Sequence, residues 1–452
     1  MSKRINLLEG NIFTSLTKLA IPIMATSLIQ MAYNLTDMIW IGQIGSNAVA
    51  AVGSASMFGW LSTGMAVLAR MGGQVMVAQK WGAQKREEAT EYASNSLQLG
   101  IFFSIVFGLI MFLFAKPLIA FFNLNSATVI ADAEVYLKIT GGAIIFQFVN
   151  QIFSGLITAT GNSRTPFLTT TVGLFINIIL DPVFIFGVGP IPPMGVAGAA
   201  WATIIAQGVV SLLFVFYAIK DTMLFHQVNV FQKPNWICQK EIIKIGFPTA
   251  IQSMTFTAIS MIIARLIANF GDAAVAVQKV GSQIESISWM TADGFSVAIN
   301  SFIAQNYGAK NIERAKKGYK SALSLISIWG TLSTLLLIFL AEPIFKIFIT
   351  ETAVIPVGVD YLVILGVSQL FMCVEIVTAG AFSGFGKTLP PSIVSITFTV
   401  ARIPMALFLS STALGLSGIW WSISISSILK GVILFVLFMI YEKTKLKETV
   451  KQ

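Results

Sequence analysis

Two carboxylates stand inside apolar stretches in the first half of this 452-residue chain. Asp37 follows Asn34 by three residues and Asp181 follows Asn177 by four, so each pair shares one face of a helix. An ionisable side chain within an apolar span is costly and tends to mark an ion or substrate pathway. Two carboxylates with amide neighbours can exchange a proton, or they can hold a hard cation such as Na⁺. A purely structural role would have each Asp cap a kink or hydrogen-bond to a neighbouring helix.

Other polar groups accompany the two carboxylates. Asp181 precedes Pro182, which has no N–H to donate to the carbonyl of Ile178, so that carbonyl is left available to a ligand or a proton relay. Later spans add hydrogen-bonding side chains to the predicted cluster: Tyr136, Asn150 and Thr203.

Composition decides which elements position these residues. The chain is 56% hydrophobic and 11% charged, with a mean hydropathy of +0.81, which excludes a water-soluble fold. Apolar stretches of about 18 to 25 residues follow one another with short polar breaks, and each can cross a bilayer as a helix. They do not alternate polar and apolar residues as barrel strands do. We predict an all-α integral membrane protein with twelve transmembrane helices.

The chain also repeats itself. Pro22 recurs as Pro248 and Gly82 as Gly308, both at an offset of 226 residues. Two like halves in an apolar chain are typical of transporters whose substrate site lies between or within the halves. The predicted organisation has two pseudo-symmetric six-helix bundles, 1–219 and 242–452, joined by a cytoplasmic linker, 220–241.

The distribution of basic residues indicates how the chain is oriented in the membrane. The formal net charge is +9, and Lys and Arg concentrate in loops separated by an even number of spans. This asymmetry places both termini and the linker in the cytoplasm of a multi-pass protein of the plasma membrane, the inner membrane of a bacterium. The charge therefore indicates orientation and argues against a nucleic-acid partner.

Enzyme chemistry finds little support. The chain has two cysteines and one histidine, so no multi-histidine metal site and no Ser/His or Cys/His constellation lies within the membrane. A Gly-x-x-x-x-Gly-Lys phosphate loop is also absent from the sequence. We expect no enzyme activity, no cofactor and no resident metal.

The carboxylate pair belongs to the first half alone. At the repeat-equivalent positions, Ile263 replaces Asp37, Arg402 replaces Asn177 and Ala406 replaces Asp181. The second half has charges of both signs within its spans, which we expect to pair with one another: Glu285, Asp293, Glu375, Arg402 and Lys430.

Three segments resemble the multidrug and toxic compound extrusion (MATE) family, in particular its DinF-like branch: Asn34–Asp37, Gly161–Pro166 and Asn177–Pro182. The resemblance covers essentially the whole chain. It implies the MATE/MOP-type fold, with two six-helix bundles facing each other across a central cleft, and export of organic cations in exchange for protons or sodium. Carried over by position, it makes Asp37, Asn177 and Asp181 the coupling cluster, with Tyr136, Asn150 and Thr203 as neighbours.

The predicted function is efflux of lipophilic, mostly cationic small molecules by alternating access. The DinF-like resemblance favours protons as the coupling ion, and Na⁺ held by Asp37, Asn177 and Asp181 is the alternative. A lipid-linked precursor flippase of the same superfamily is a further alternative, although an anionic headgroup calls for Arg and Lys rather than an acidic first half. A non-transporting receptor also stays open. We expect a monomer whose only other partner is membrane lipid.

Overall fold

The structure is a computed structural model that describes residues 4–122, 124, 126–349, 351–352 and 354–449. The side chains of residues 34, 35, 272, 445 and 447–449 lie outside this description. Sixteen α-helices make up nearly all of the described part, and no strand longer than an isolated bridge between Val188 and Ile191 occurs in it. The prediction of an all-α protein is confirmed.

Eight helices form the first half of the chain: α1 (Ile12–Ile44), α2 (Ser46–Gly82), α3 (Arg86–Leu113), α4 (Ala115–Ala120), α5 (Ala127–Gly142), α6 (Ile144–Ala159), α7 (Arg164–Phe186) and α8 (Gly195–Lys220). A short 3₁₀ turn at Phe225–Gln227 lies in the segment that follows.

Eight more helices form the second half: α9 (Trp236–Ala268), α10 (Asp272–Gly308), α11 (Ile312–Phe339), α12 (Ala341–Lys346), α13 (Ile355–Gly384), α14 (Leu389–Val400), α15 (Arg402–Ser410) and α16 (Leu416–Thr449).

Twelve of these segments, counting α5–α6 and α14–α15 as one span each, are long enough to cross a bilayer. Ten are both long and apolar enough, and α5 with α6 makes an eleventh span bent by 47° at Ala143. The twelfth is α10, which has 37 residues but is more polar than the others. The span that α5 and α6 form together is therefore broken in the middle, after Gly141 and Gly142.

The internal repeat extends to backbone conformation. Gln84 and Lys310, which lie 226 residues apart, are the only non-glycine residues with positive φ in the described part, at 61° and 60°. Gly161 and Gly386, which lie 225 residues apart, also share a positive φ, at 86° and 72°. A left-handed residue after a helix is a local requirement of the turn, and both halves meet it at equivalent positions.

The chain divides into two compact units. The N-terminal unit contains Met1–Ile5 and Ala25–Ala250, and the C-terminal unit contains Asn6–Met24 and Ile251–Gln452. Two long helices, α1 and α9, change unit three residues after an internal proline, Pro22 or Pro248. Proline removes a hydrogen bond from a helix interior, so each change of unit follows a weakened turn.

Each unit has its own apolar core. Ile41, Ala51 and Phe148 belong to the core of the N-terminal unit, whereas Ile263 and Trp420 belong to that of the C-terminal unit. Large apolar side chains also cover outer helix faces, for example Phe102, Ile105, Leu109 and Phe112 along α3. A stripe of this kind on a long apolar helix suits contact with lipid rather than water.

Glycines bring helices together at equivalent places in the two units. A side chain at Gly155 on α6 would collide with Arg70 on α2, and one at Gly380 on α13 would collide with Ser296 on α10. Gly380 is the repeat equivalent of Gly155, and Ser296 is that of Arg70. The close approach of these helices is therefore a property of the repeat.

Candidate functional site

Asp37 and Asp181 face each other inside the N-terminal unit. Asp37 lies on α1 and is half-buried, whereas Asp181 lies on α7 and is fully buried. Their carboxyl groups are within hydrogen-bonding reach of each other. The two predicted carboxylates, 144 residues apart in sequence, therefore form one cluster.

Each carboxyl group has one oxygen without a hydrogen-bond partner. Asp37 Oδ1 and Asp181 Oδ2 are both buried and unpartnered in the described part of the chain. Asp181 Oδ1 accepts a hydrogen bond of 2.7 Å from Asn177 Nδ2, one helical turn earlier. Two ionised carboxylates cannot hydrogen-bond to each other, but a single proton between them supplies a donor. Chemically, such a pair can hold one proton, or a cation in its place.

Hydroxyl groups surround the pair. The Tyr33 hydroxyl and Thr203 Oγ1 are 3.4 Å apart, joining α1 to α8, and Tyr136 on α5 lies beside Ser56 on α2. Tyr33 and Tyr136 both lie close enough to Asp37 and Asp181 to interact with their charges. Tyr136 and Thr203 were predicted from the sequence, whereas Tyr33 and Ser56 were missed. Tyr33 precedes Asp37 by four residues, and that spacing was the available signal.

Asn150 has its hydrogen bonds elsewhere. Its Nδ2 donates to the carbonyl oxygen of Gln207 at 3.0 Å, and its Oδ1 accepts from Ser211 Oγ at 2.7 Å. Both partners lie on α8, so this amide ties α6 to α8 and makes no hydrogen bond to the carboxylates. The predicted role of Asn34 lies outside the described side chains.

The equivalent place in the C-terminal unit is apolar. Ile263 and Ala406, the counterparts of Asp37 and Asp181, are both buried in the same hydrophobic core cluster. Arg402, the counterpart of Asn177, points to other partners: Nε donates to Ser426 at 2.6 Å and an Nη to Ser427 at 3.2 Å. The two units therefore share helix positions but differ in chemistry.

The C-terminal unit does contain the ion pair that the mixed charges predicted. Lys430 Nζ lies 3.0 Å from Glu375 Oε2, and both side chains are buried. Ser395 donates a longer bond, 3.4 Å, to the other Glu375 oxygen. Glu285 forms no ion pair with a Lys or Arg among the described residues, and its carboxyl group accepts a hydrogen bond from Tyr361. Asp293 is exposed on α10.

The described part of the chain contains no cluster of side chains suited to a metal ion with several His, Cys or carboxylate ligands. No group of three or more His, Cys, Asp or Glu side chains that could hold a metal ion occurs in the described part. The Asp37–Asp181 pair supplies two carboxylates and, from Asn177, an amide oxygen that its hydrogen bond leaves free for another contact. Such oxygens suit a proton or a hard cation.

Comparison with known proteins supplies the family. The model of the MatE family matches residues 22–183 and 248–408, one match in each half of the repeat. This chain belongs to the MatE family. Proteins of the MatE family are membrane transporters and not enzymes. The predictions that this chain is a transporter and that it is not an enzyme are therefore confirmed. The DinF-like branch stays a prediction.

Relatives and solved structures match over nearly their full length. The chain is 31% identical over 408 residues to the probable multidrug resistance protein NorM of Thermotoga maritima, covering 90% of this chain and 87% of that protein. It is 25% identical over 438 residues to the FAD transporter of Shewanella oneidensis, covering 96% and 95%.

Two solved structures have the same fold. A crystal structure of MATE in the bent conformation superposes with a TM-score of 0.91 at 23% identity, over 100% of both chains. A transporter of the MOP superfamily from Pyrococcus furiosus, described as having reverse polarity of its binding pocket, superposes at 0.90 with 22% identity, also over 100% of both. These likenesses confirm the twelve-helix fold of a multi-pass membrane protein.

Proposed function

We propose that this MatE transporter exports lipophilic, mostly cationic compounds by alternating access, in exchange for protons bound at Asp37 and Asp181. The observation that carries the proposal is the pair of unpartnered oxygens, Asp37 Oδ1 and Asp181 Oδ2, on carboxyl groups that face each other. One shared proton satisfies both oxygens. Loss of that proton leaves two close negative charges, which disfavour the closed cluster and favour the approach of a cation.

The electrostatics of the cluster support exchange between a proton and a cation. No Lys or Arg makes an ion pair with Asp37 or Asp181 among the described residues. When ionised, the pair attracts a positive group, and when protonated, it no longer does so. Proton binding and binding of a cationic compound are therefore mutually unfavourable, which is the requirement for antiport.

The kind of substrate is supported by relatives. The Thermotoga relative is described as a probable multidrug resistance protein, which agrees with an acidic cluster that would attract organic cations. The Shewanella relative is described as a transporter of FAD, a compound that carries phosphates. At 25% identity that relative leaves room for a different cargo, and the acidic cluster of this chain favours cations.

Sodium coupling is the alternative that the same residues allow. Asp37, Asp181 and the Asn177 amide oxygen are hard ligands that Na⁺ accepts. A lipid-linked precursor flippase is the second alternative, and its anionic headgroup suits this acidic cluster poorly. We further propose that one chain is the transporting unit and that both termini lie in the cytoplasm, as the distribution of Lys and Arg indicates.

The test uses the purified full-length protein in liposomes loaded with a fluorescent cationic dye. A proton gradient imposed in sodium-free buffer should drive dye movement, whereas a sodium gradient at equal pH on both sides should not. Asp181→Asn should abolish the response to the proton gradient. Asp132→Asn, which removes an exposed carboxylate on α5, is the matched control and should transport normally. Movement driven by sodium alone would replace the proton with Na⁺ at the same cluster.

A further inference from the structure

One face of α10 in the C-terminal unit carries polar side chains that the proposed function does not use. The helix is long enough to cross a bilayer but more polar than the other spanning helices. Lys279, Trp289 and Asp293 are exposed along it and Gln283 is half-buried. At about 100° per residue these four side chains fall within an arc of about 120°, so they share one face of the helix.

This face differs from the lipid-facing stripe of α3, whose exposed side chains are Phe102, Ile105, Leu109 and Phe112. An exposed side chain on a spanning helix meets either lipid or water, and a carboxylate in lipid is costly. Asp293 lies 21 residues after the first residue of α10 and 15 before the last, about four turns or more from either end. Its short side chain cannot reach the membrane surface from there as a lysine can. We therefore infer that water covers this face of α10.

The internal repeat argues against a packing role for these side chains. At the offset of 226 residues, Asp293 corresponds to Val67 and Trp289 to Thr63, both on α2. Val67 is buried among apolar residues, and Thr63 Oγ1 accepts a hydrogen bond of 2.8 Å from Gln147 on α6. The N-terminal copy thus uses these positions for helix packing. The C-terminal copy exposes an indole and a carboxylate instead, which the shared fold does not require.

Trp289 and Asp293 are suited to bind an organic cation together. They are four residues apart on one helix, a spacing that places their Cβ atoms about 5–6 Å from each other. A carboxylate attracts positive charge, and the face of an indole ring attracts a cation and also packs against its apolar groups. A bulky cation can contact both side chains at once, whereas a small hydrated ion gains little from the ring.

The positive charges of the same unit leave this pair acidic in character. Lys279 precedes Asp293 by 14 residues, about 21 Å along the helix axis. Lys430 is held 3.0 Å from Glu375, and Arg402 donates to Ser426 and Ser427. Charge complementarity therefore favours a cationic occupant on this face over an anionic one.

We propose that Trp289 and Asp293 form a binding site for lipophilic organic cations on the C-terminal unit. The class of compound rests on the function proposed above, and the site is additional to the Asp37–Asp181 pair of the N-terminal unit. The carboxylate of Asp293 holds the charge, and the ring of Trp289 contacts the hydrocarbon or aromatic groups.

The first test is equilibrium binding of tetraphenylphosphonium to the purified full-length protein in detergent, without any ion gradient. It is made in the unmodified protein and in a variant with Asp37→Asn and Asp181→Asn, which removes the acids of the N-terminal cluster. Binding should persist in that variant, and Asp293→Asn should then weaken it by about tenfold or more. Trp289→Leu should weaken it by about three- to thirtyfold, and Trp289→Phe by less because a phenyl ring keeps a π face.

Matched controls remove similar groups elsewhere. Asp360→Asn removes an exposed carboxylate from α13 of the same unit, and Trp236→Leu removes an exposed indole from the start of α9. Both should leave tetraphenylphosphonium binding unchanged. Asp293 and Trp289 are exposed, so their variants should fold, and thermal unfolding checks this.

A second test asks whether water covers the face. In proteoliposomes of a protein with Cys238→Ser and Cys373→Ser, Gln283→Cys should react with a water-soluble maleimide because its thiolate can form. Phe102→Cys, on the lipid-facing stripe, should not react. Equal lack of reaction at both positions would place the α10 face against lipid and overturn the proposal.

Binding that Asp293→Asn leaves unchanged would also overturn it. If the variant without the N-terminal acids binds nothing while Asp293→Asn alone binds normally, the cation is held in the N-terminal unit only, and the function proposed above survives without this site. Binding needs no gradient, so the C-terminal site can be confirmed even if proton-driven efflux is not observed.

Discussion

Asn177 donates a hydrogen bond of 2.7 Å to Asp181 one turn later on α7, and the second Asp181 oxygen is left without a hydrogen-bond partner in the described part of the chain. The amide thereby fixes one oxygen of a carboxyl group that lies within hydrogen-bonding reach of Asp37 on α1. Both residues are buried, with Asn177 2% and Asp181 0% exposed, so water cannot replace the bond.

Asp37→Asn should abolish active efflux while the protein folds and accumulates normally. The new amide supplies a permanent donor to the free Asp181 oxygen, so the pair stays as if it held its proton. Dye efflux from proteoliposomes measures the first effect, and thermal unfolding in detergent measures the second. Thr36→Val, on the neighbouring position of α1, is the control. Efflux at the normal rate in folded Asp37→Asn would rule out a coupling role for this residue.

Asn150→Leu should affect stability more than transport. It removes two hydrogen bonds between α6 and α8, to Gln207 and Ser211, and we expect a loss of about 1–2 kcal/mol in the free energy of unfolding. Efflux per folded molecule should be retained. Gln151→Leu is the matched control, since no hydrogen bond of its amide is found among the described residues. A stable Asn150→Leu protein that no longer transports would return Asn150 to the coupling cluster.

Tyr33→Phe and Thr203→Val should have small and similar effects. The two oxygen atoms are 3.4 Å apart, which is long for a bond between hydroxyls. A double-mutant cycle on unfolding should give a coupling energy below about 1 kcal/mol. The informative result would be a difference in proton-driven efflux between the Tyr33→Phe and Thr203→Val variants. If Tyr33→Phe alone loses proton-driven efflux, the tyrosine hydroxyl serves the carboxylates rather than Thr203.

Lys430→Met should destabilise the protein strongly. It leaves Glu375, which is 6% exposed, without its cation, and breaking a buried pair in this way costs about 3–5 kcal/mol. The double variant Glu375→Gln, Lys430→Met should recover most of the loss because no charge is left unpaired. Thermal unfolding of the single and double variants measures both effects. Equal melting temperatures of Lys430→Met and the unmodified protein would show that the pair contributes little.

The sequence predicted the membrane class, the repeat and the pairing of the two carboxylates because each has a strong local or periodic signal. Asp37 and Asp181 are conspicuous, since few charges occur in apolar spans. The amides were harder to assign. Asn150 and Asn177 look alike in sequence, and only the packing of α6 against α8 decides that one bonds to a helix backbone and the other to an acid.

Other features depended on tertiary contacts that the sequence does not display. Tyr33 was missed because a tyrosine in an apolar helix reads as a core or lipid-facing residue until its hydroxyl partner is known. The bend of 47° between α5 and α6 was also missed, although Gly141 and Gly142 precede it. The equivalent span in the second half, α13, is continuous, so the bend is not a shared property of the repeat.

The glycine contacts at Gly155 and Gly380 have an evolutionary consequence. If the two halves arose by duplication of one gene, the glycines kept the copies folding alike while their polar side chains diverged. Arg70 in one copy stands where Ser296 stands in the other, and the same backbone approach tolerates both. Each copy could therefore change its ion chemistry without inventing a new fold. Divergence within a single polypeptide thus becomes a route to new cargo for an exporter that already exists.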